Sequence, residues 1–229
     1  MSASNFCAHD AAVFFDLVKG FSPEALVELR VLKRDRGGAL CGFFDRRGDF
    51  ILACGTHSGH DNVYAGLQSR PQCMLNLAPN ELRPLPSTTK AEDIEILQTF
   101  FVDIDPVRPR DCASTQSELE LAREVAKQII DWARKQGYRK PLVVMSGNGY
   151  HLFFSLPATI LTPEKRGEIA SKIKCFEKAI KDNFETAAVK IDTVSDFPRI
   201  VRVPGTLNLK GLHTEDRPHR LSRIIGGGL

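Results

Sequence analysis

The chain has no hydrophobic segment long enough to span a membrane. No apolar run among its 229 residues approaches the roughly 18 residues that a transmembrane helix needs. The N-terminus also lacks a basic start followed by an apolar core, so the sequence shows no secretory signal. Internal repeats and low-complexity tracts are absent as well. We therefore expect an intracellular, cytoplasmic protein with no membrane partner.

Cysteine pairs with the spacing of zinc ligands are missing too. The six cysteines are scattered and none forms a C-x-x-C pair, so we expect reduced thiols rather than a zinc ribbon or finger. The formal charge of +3 permits a nucleic-acid partner without implying one. With 42% hydrophobic and 26% charged residues, the composition is that of one large globular domain or two tightly packed modules.

The first part of the chain, residues 1–95, is predicted to form a mainly β module. Residues 8–19 have the apolar spacing of a short amphipathic helix. Three apolar runs separated by glycine-containing turns indicate an antiparallel meander: about 26–33, 38–44 and 49–54. A further strand is expected from Asn62 to Leu67, and the proline-containing stretch 78–93 is predicted to connect two modules.

The second part, residues 96–225, is predicted to be a ferredoxin-like or RNA-recognition-type module. Its expected elements follow the order strand, helix, strand, strand, helix, strand: about 97–104, 115–136, 141–145, 150–156, 163–183 and 189–191. A short strand is expected from Arg199 to Val203. The tail after Lys210 is basic and ends in Gly226-Gly227-Gly228, which cannot close a core.

Two carboxylates lie at the mouth of the predicted central strand. Side chains alternate along a strand, so Asp103 and Asp105 share one face, with their Cα atoms roughly 6.5–7 Å apart. Two carboxylates at that reach can hold a pair of divalent ions. Both aspartates can equally cap the strand and face water. Asp192, after a second short apolar run, is a candidate third carboxylate or a solvated loop residue.

A glycine-rich turn, Ser146-Gly147-Asn148-Gly149, precedes Tyr150 and His151. Its glycines let backbone N–H groups converge into an anion-binding nest, and His151 can donate to a phosphate oxygen. No Gly-Lys-Ser/Thr follows, so the segment is not a Walker A loop. The turn can also serve only the geometry of a tight hairpin.

The segment from Asp196 to Gly211 carries several basic and polar residues. Arg199 and Arg202 are three apart, so an ideal strand points them in opposite directions. Thr206, Asn208 and Lys210 alternate with leucines and are predicted to share one face. That face can meet a triphosphate or a template backbone, or it can be the charged edge of a sheet.

These segments together resemble the archaeo-eukaryotic primase superfamily. The ordered set Phe-Val-Asp-Ile-Asp-Pro, Ser-Gly-Asn-Gly-Tyr-His-Leu, Ile-Asp and Arg-Ile-Val-Arg-Val-Pro-Gly-Thr-x-Asn-x-Lys-Gly is most similar to the primase–polymerase branch of plasmids, phages and CRISPR-associated proteins. The resemblance covers roughly residues 25–212. It includes four N-terminal segments: Gly42–Asp45, Asn62–Tyr64, Asn80 and Thr88–Thr89.

The resemblance implies an α+β catalytic core of two modules whose cleft holds metal, nucleotide and template. It implies a template-dependent DNA primase or polymerase that joins nucleoside triphosphates to a 3′-hydroxyl, with two Mg²⁺ or Mn²⁺ ions. Asp103, Asp105 and Asp192 would be the metal ligands, and His151 would be catalytic. The nucleotide-binding residues would be Ser146, Gly147, Asn148, His151, Arg199, Arg202, Thr206, Asn208 and Lys210.

The implied partners are a single-stranded or primed DNA template and dNTP or NTP, together with further domains or with replication or CRISPR proteins. Many primases carry a zinc-bearing insert or a helical accessory domain for starting a strand. The sequence shows neither, so we expect extension rather than unaided initiation.

Two other functions remain open at this point. A metal-dependent nuclease would use the same carboxylate pair, although it leaves the Ser-x-Gly-x-His turn unexplained. A non-catalytic nucleic-acid-binding module would need exposed aromatic residues on its sheet. A relaxase-like initiator is disfavoured because His57 and His60 are three apart and no H-x-H pair exists.

Overall fold

The computed structural model describes residues 5–20, 22–34, 37–87, 89–192 and 196–226. Thr88, Gly227 and Gly228 lie outside these ranges. The described chain is a mixed α/β structure with two main antiparallel sheets. Within these ranges no helix has the length and apolar character needed to cross a membrane.

The first sheet has the strand order β2-β1-β3-β8, and every neighbouring pair is antiparallel. Its elements, in chain order, are α1 (Ala8–Lys19), β1 (Val27–Leu32), β2 (Ala39–Phe44), α2 (Arg47–His57) and β3 (Asn62–Gly66). Strand β8 (Ile200–Arg202) comes from the far end of the sequence and pairs with β3. The connection between the sheets holds two 3₁₀ helices, at Gln72–Leu77 and Ala91–Asp93.

The predicted strand at 49–54 is wrong, because this segment lies within helix α2. Phe50 and Cys54 are four residues apart and both are fully buried, whereas Leu52 between them is 70% exposed. A short continuous apolar run does not distinguish a strand from a helix by its periodicity. The N-terminal part is therefore mixed, with two helices beside its strands, rather than mainly β.

The second sheet has the strand order β11-β5-β6-β4-β7, where β11 is Arg223–Ile224, and it is also antiparallel throughout. Its elements confirm the predicted strand–helix–strand–strand–helix–strand order: β4 (Ile96–Pro106), α3 (Gln116–Lys135), β5 (Leu142–Met145), β6 (Tyr150–Ile160), α4 (Pro163–Phe184) and β7 (Val189–Asp192). Thr115 caps α3, since its hydroxyl accepts the Glu118 N–H while the Glu118 carboxylate accepts the Thr115 N–H.

The two faces of β4 pack into different cores, as strand alternation requires. Phe100, Val102 and Ile104 pack with α3 and α4. Phe101 points to the other side, into a core that it shares with α1, α2 and the first sheet. Asp103 and Asp105 continue the Phe101 face, so the sequence places both carboxylates on the side of the second sheet that meets the first.

The C-terminal segment returns to both parts of the molecule. Strands β9 (Leu207–Asn208) and β10 (Arg220–Leu221) pair with each other, and β11 (Arg223–Ile224) pairs with β5. Arg217 donates to both carboxylate oxygens of Glu118 at 2.8 Å. At least part of the basic tail therefore serves the fold itself.

Candidate active site

Asp103 lies between two candidate residues on neighbouring strands. Its direct cross-strand partner on β6 is His151, and its partner on β7 is Asp192. The His151 Nε2 atom is 3.4 Å from the Asp103 Oδ1 atom. The imidazole also packs edge-on against Phe101 at 5.0 Å between ring centroids. The sheet register thus brings the strand carboxylate and the histidine together.

The turn before His151 joins β5 to β6 as a hairpin and is closed by the Ser146 hydroxyl. This oxygen accepts the N–H groups of Asn148 at 3.4 Å and Gly149 at 3.0 Å. The Gly147 N–H lies 3.0 Å from the Met145 sulfur. The expected anion nest is therefore not formed by these three amides, because each already faces an acceptor on Met145 or Ser146.

Two asparagines fix this turn to the rest of the molecule. The Asn148 Oδ1 atom accepts the Ser114 N–H at 2.9 Å, and the Asn208 Nδ2 atom donates to the Ser146 carbonyl at 2.9 Å. The Asn148 Nδ2 and His151 Nδ1 atoms are buried without a hydrogen-bond partner in the part of the chain that the structure describes. Buried polar atoms of this kind are costly unless a ligand or water completes them.

Gly149 allows the turn to approach the central strand closely. A Cβ atom there would lie 2.3 Å from the Ile104 carbonyl oxygen and 2.7 Å from the Asp105 Oδ1 atom. Gly147 has φ +96°, and a Cβ atom there would lie 2.6 Å from the Asn208 Cβ. The two glycines thus let the hairpin end pack against Asp105 and Asn208.

Arg108 forms an ion pair with Asp105 that the sequence analysis missed. The Nη1 atom lies 3.2 Å from Oδ1, and the Nη2 atom donates to Oδ2 at 3.3 Å. Burial, and then the Asp103 charge, raise the pKa of Asp105 above its ordinary value despite the opposing effect of Arg108. The sequence signal that could have indicated this ion pair is the position of Arg108, three residues after Asp105.

Arg202 is a buried cation beside the carboxylates. It is 5% exposed and stacks 4.8 Å from the Tyr64 ring centroid. Its Nη2 atom donates to Asn62 Oδ1 at 3.0 Å and to the Tyr64 hydroxyl at 2.9 Å. Among the described residues no carboxylate forms an ion pair with it. Burial lowers the pKa of Arg202 from its ordinary value.

Arg199 lies before β8 begins, so strand alternation does not apply to it. Its Nε atom is 3.0 Å from Asp196 Oδ1. The expectation that Arg199 and Arg202 face opposite ways is wrong, since both line the same pocket.

These side chains surround one pocket of about 220 Å³. It is lined by two carboxylates, four cationic side chains, one histidine and their neighbours: Asp103, Asp105, Arg108, Arg199, Arg202, Lys210, His151, Ser146, Asn148, Asn208, Tyr64, Phe101, Ile200 and Val201. The lining carries four positive side chains and two carboxylates, so its excess of positive charge suits an anionic ligand.

Three predicted site residues stand outside this lining. Asp192 is an exposed cross-strand neighbour of Asp103 but does not line the pocket. Thr206 is fully buried and donates its hydroxyl proton to the Val203 carbonyl at 2.7 Å. Gly147 borders the pocket residue Asn208 without lining the pocket itself.

The carboxylate pair fits a divalent ion that arrives with phosphate ligands. Within the described residues no three His, Cys, Asp or Glu side chains are grouped so that they alone would hold a metal ion. Mg²⁺, however, is usually bound by one or two carboxylates together with waters and substrate phosphates. Asp103 and Asp105 supply this donor set, and oxygen ligands suit Mn²⁺ as well.

A larger groove lies on the opposite face of the second sheet. Its volume is about 1020 Å³, and its lining between α3 and α4 is mainly apolar, with Phe100, Trp132 and Phe176 among its residues. Charged groups for phosphate chemistry converge in the smaller pocket, which we therefore take as the candidate active site.

Comparison with known proteins gives no family assignment. No protein-family profile and no curated protein matches this chain. Among solved structures, that of primase RepB′ aligns with 96% of this chain and 56% of its own, at 13% identity and a TM-score of 0.48. The polymerase domain of Mycobacterium tuberculosis Ligase D, in complex with DNA, aligns with 93% of this chain and 79% of its own, at 13% identity and a TM-score of 0.45.

This chain thus spans little more than half the length of the RepB′ chain. Likenesses with TM-scores below 0.5 and such low identity establish neither the family nor the function of this chain.

Proposed function

We propose that this chain is a template-dependent nucleotidyltransferase of the primase–polymerase type. It would join a nucleoside triphosphate to the 3′-hydroxyl of a primer on single-stranded DNA and release pyrophosphate. The proposal is supported by the ordered sequence motifs and, above all, by the convergence of a carboxylate pair and four cationic side chains in one pocket. The two halves, residues 1–95 and 96–225, would form the two modules of one catalytic domain.

The size of the pocket favours the phosphate end of a nucleotide. Pockets that enclose a drug-sized ligand measure roughly 300–1,000 Å³, whereas this one measures about 220 Å³. Its lining is rich in charged and amide groups. We therefore place the triphosphate inside the pocket and leave the sugar, base and template in the space outside it.

The carboxylates Asp103 and Asp105 would hold Mg²⁺ or Mn²⁺ together with the triphosphate. A bound divalent ion of this kind lowers the pKa of an attacking hydroxyl and neutralises phosphate charge. Asp192 remains a proposed third ligand, which its position opposite Asp103 permits. Its side chain would have to turn toward the pocket when substrate binds.

The positive side chains would hold the phosphate oxygens. Arg202 is pre-oriented by Asn62 and Tyr64, so little side-chain freedom is lost when it binds an anion. Lys210 and Arg199 would add charge at the same pocket. The orphaned Asn148 Nδ2 atom offers a further donor.

His151 would hold a proton beside the phosphates. In its doubly protonated form the imidazole would direct Nε2–H toward Asp103 and donate from its orphaned Nδ1 to a phosphate oxygen or to the leaving pyrophosphate. Gly147 and Ser146 would act by shaping the turn, and Thr206 by holding the segment before Asn208.

The sheet surface does not favour the non-catalytic RNA-recognition alternative. Phe101 and Phe153, on the face where such a module would need exposed aromatic residues, are buried. Phe14 of α1 packs edge-on against Phe153 at 5.7 Å between centroids. A single strand therefore cannot stack on these rings in the folded protein.

A primer-extension gel separates the transferase from the nuclease. The chain is incubated with a 5′-labelled primer on a DNA template and Mn²⁺, with and without a mixture of dNTPs and NTPs. The proposal predicts longer products only when nucleotides are present. Shortened products without nucleotides, and no extension with them, would favour a nuclease.

A further inference from the structure

The Arg108 guanidinium contacts both carboxylate oxygens of Asp105, one of the proposed metal ligands. Its Nη1 and Nη2 atoms lie 3.2 and 3.3 Å from Asp105 Oδ1 and Oδ2, respectively. The Arg108 side chain is 7% exposed and the Asp105 side chain is 37% exposed, so the carboxylate of this ion pair is also open to other ligands. A divalent ion therefore competes with the guanidinium for Asp105.

Asp103 is not restrained in this way. Its one ion-pair neighbour among the described residues is His151, at 3.4 Å. The two carboxylates of the pair are thus unequal, since Asp103 is available to a metal ion and Asp105 is paired with Arg108.

The Arg108 guanidinium also has two backbone partners besides Asp105. Its Nε atom donates to the Cys112 carbonyl at 3.2 Å, and its Nη1 atom to the Pro106 carbonyl at 3.2 Å. Arg108 also lines the pocket that holds Arg199, Arg202 and Lys210. Because Arg108 lines this pocket, turning its guanidinium toward a bound anion would exchange the Asp105 contacts and the Nη1 contact with Pro106 for contacts with phosphate oxygens.

We propose that Arg108 is an exchangeable counter-ion, which neutralises Asp105 in the free protein and transfers to a phosphate oxygen when a metal–triphosphate complex binds. This inference rests on the proposed function, because it takes Asp103 and Asp105 as the metal site. The exchange breaks one ion pair and forms another, while the divalent ion takes the released carboxylate. No covalent bond changes.

The exchange couples metal binding to triphosphate binding. A metal ion alone must displace Arg108 and leave it without an anion, so it binds weakly. A metal ion that arrives with a triphosphate supplies the replacement partner. Each ligand therefore raises the affinity for the other, and the pocket resists filling by metal without substrate.

The test measures Mn²⁺ binding to the free protein from the EPR signal of unbound Mn²⁺. Arg108→Lys keeps the charge but loses the two-pronged contact, so the exchange predicts about tenfold tighter Mn²⁺ binding, a change of ~1.4 kcal/mol. The matched control is Arg47→Lys, which makes the same replacement at an exposed arginine that pairs with Asp16 at 2.9 Å and does not line the pocket. The control should leave the Mn²⁺ affinity within about twofold of the wild-type value, because an exposed ion pair contributes little to the structure.

A second arm measures the affinity for a non-hydrolysable dNTP analogue in saturating Mn²⁺ by calorimetry. Arg108→Gln should tighten Mn²⁺ binding to the free protein and weaken analogue binding by about tenfold or more, as expected for a lost charge-assisted contact. Opposite changes in the two affinities distinguish exchange from a general loss of structure, which would weaken both.

The possible failures are distinguishable. If Asp103→Asn abolishes Mn²⁺ binding but Arg108→Lys and Arg108→Gln leave it unchanged, the metal site stands and the exchange is wrong. If Asp103→Asn does not affect Mn²⁺ binding, the proposed metal site is wrong and the exchange falls with it.

Discussion

Asp103 on β4 lies directly opposite His151 on β6, and the imidazole Nε2 atom is 3.4 Å from the carboxylate. Sheet register therefore joins two residues that are 48 positions apart in the sequence. The pairing aligns the acidic strand with the end of the glycine-rich hairpin. It explains why the two motifs function as one site in our proposal.

Replacing His151 should mainly affect nucleotide binding. His151→Ala removes a donor placed beside the phosphates, and we expect the KM for nucleotide to rise about tenfold or more, as for a lost hydrogen bond to a charged group. The control is His60→Ala, since His60 is an exposed loop residue. Steady-state extension kinetics check this, and an unchanged KM would contradict the phosphate role of His151.

Gly149→Ala should damage the site through the backbone. Its Cβ atom would meet the Ile104 carbonyl at 2.3 Å, so the hairpin or Asp105 must move. We expect a loss of about 1–3 kcal/mol in unfolding free energy, together with reduced extension. Gly167→Ala, in helix α4 with no atom within 4 Å of its new Cβ, should instead stabilise the protein by about 0.5–1 kcal/mol. Urea unfolding measures both, and equal effects would refute the packing argument.

Glu28 should matter for stability although it is far from the proposed chemistry. It is fully buried and accepts hydrogen bonds from Arg70 at 2.7 Å and Thr89 at 2.8 Å. Glu28→Gln leaves the Arg70 charge uncompensated and should lower the unfolding free energy by about 3 kcal/mol or more. The exposed Glu92→Gln should change it by less than about 0.5 kcal/mol. Similar losses in both variants would contradict the buried-pair account.

The same residue predicts an acid dependence of stability. Burial pushes the pKa of Glu28 upward, but Arg70, Arg30 and Thr89 together hold it below its ordinary value of 4.5. The stabilisation is therefore present above pH 4.5 and is lost as the pH falls through the lower value of the folded state. Wild-type unfolding free energy should decrease as the medium is acidified below that point, and Glu28→Gln should decrease less steeply.

Local sequence rules predicted part of this molecule correctly. Alternation along a strand placed Asp103 and Asp105 on one face, and the predicted helix at 115–136 began within a residue of the observed start of α3. Such rules depend on neighbours in the sequence, so tertiary packing seldom changes them. The same rules failed at α2. The short apolar run 50–54 shows neither a strand nor a helix periodicity, and the segment forms a helix that buries Phe50 and Cys54.

Contacts between distant segments were not predictable from single motifs. The glycine-rich turn suggested free amides, but the Ser146 hydroxyl competes for them locally. Arg202 and Tyr64 meet because β8 pairs with β3 across 138 residues. No periodic signal encodes that pairing. The sequence alone therefore predicts only that Arg199 and Arg202 point in opposite directions, and it does not indicate that Arg202 is buried against Tyr64.

The most direct test of the proposed site is single-turnover primer extension by Asp103→Asn. The variant keeps the side-chain shape and removes one negative charge. The control is Asp131→Asn, which makes the same replacement on the exposed surface of α3, at a side chain that is 61% exposed.

With circular dichroism confirming that both variants are folded, we predict a rate loss of roughly 100-fold or more for Asp103→Asn, the scale seen when a group that stabilises transition-state charge is removed. Asp131→Asn should extend the primer at the wild-type rate. Extension by Asp103→Asn at the wild-type rate would contradict the assignment of this pocket as the active site.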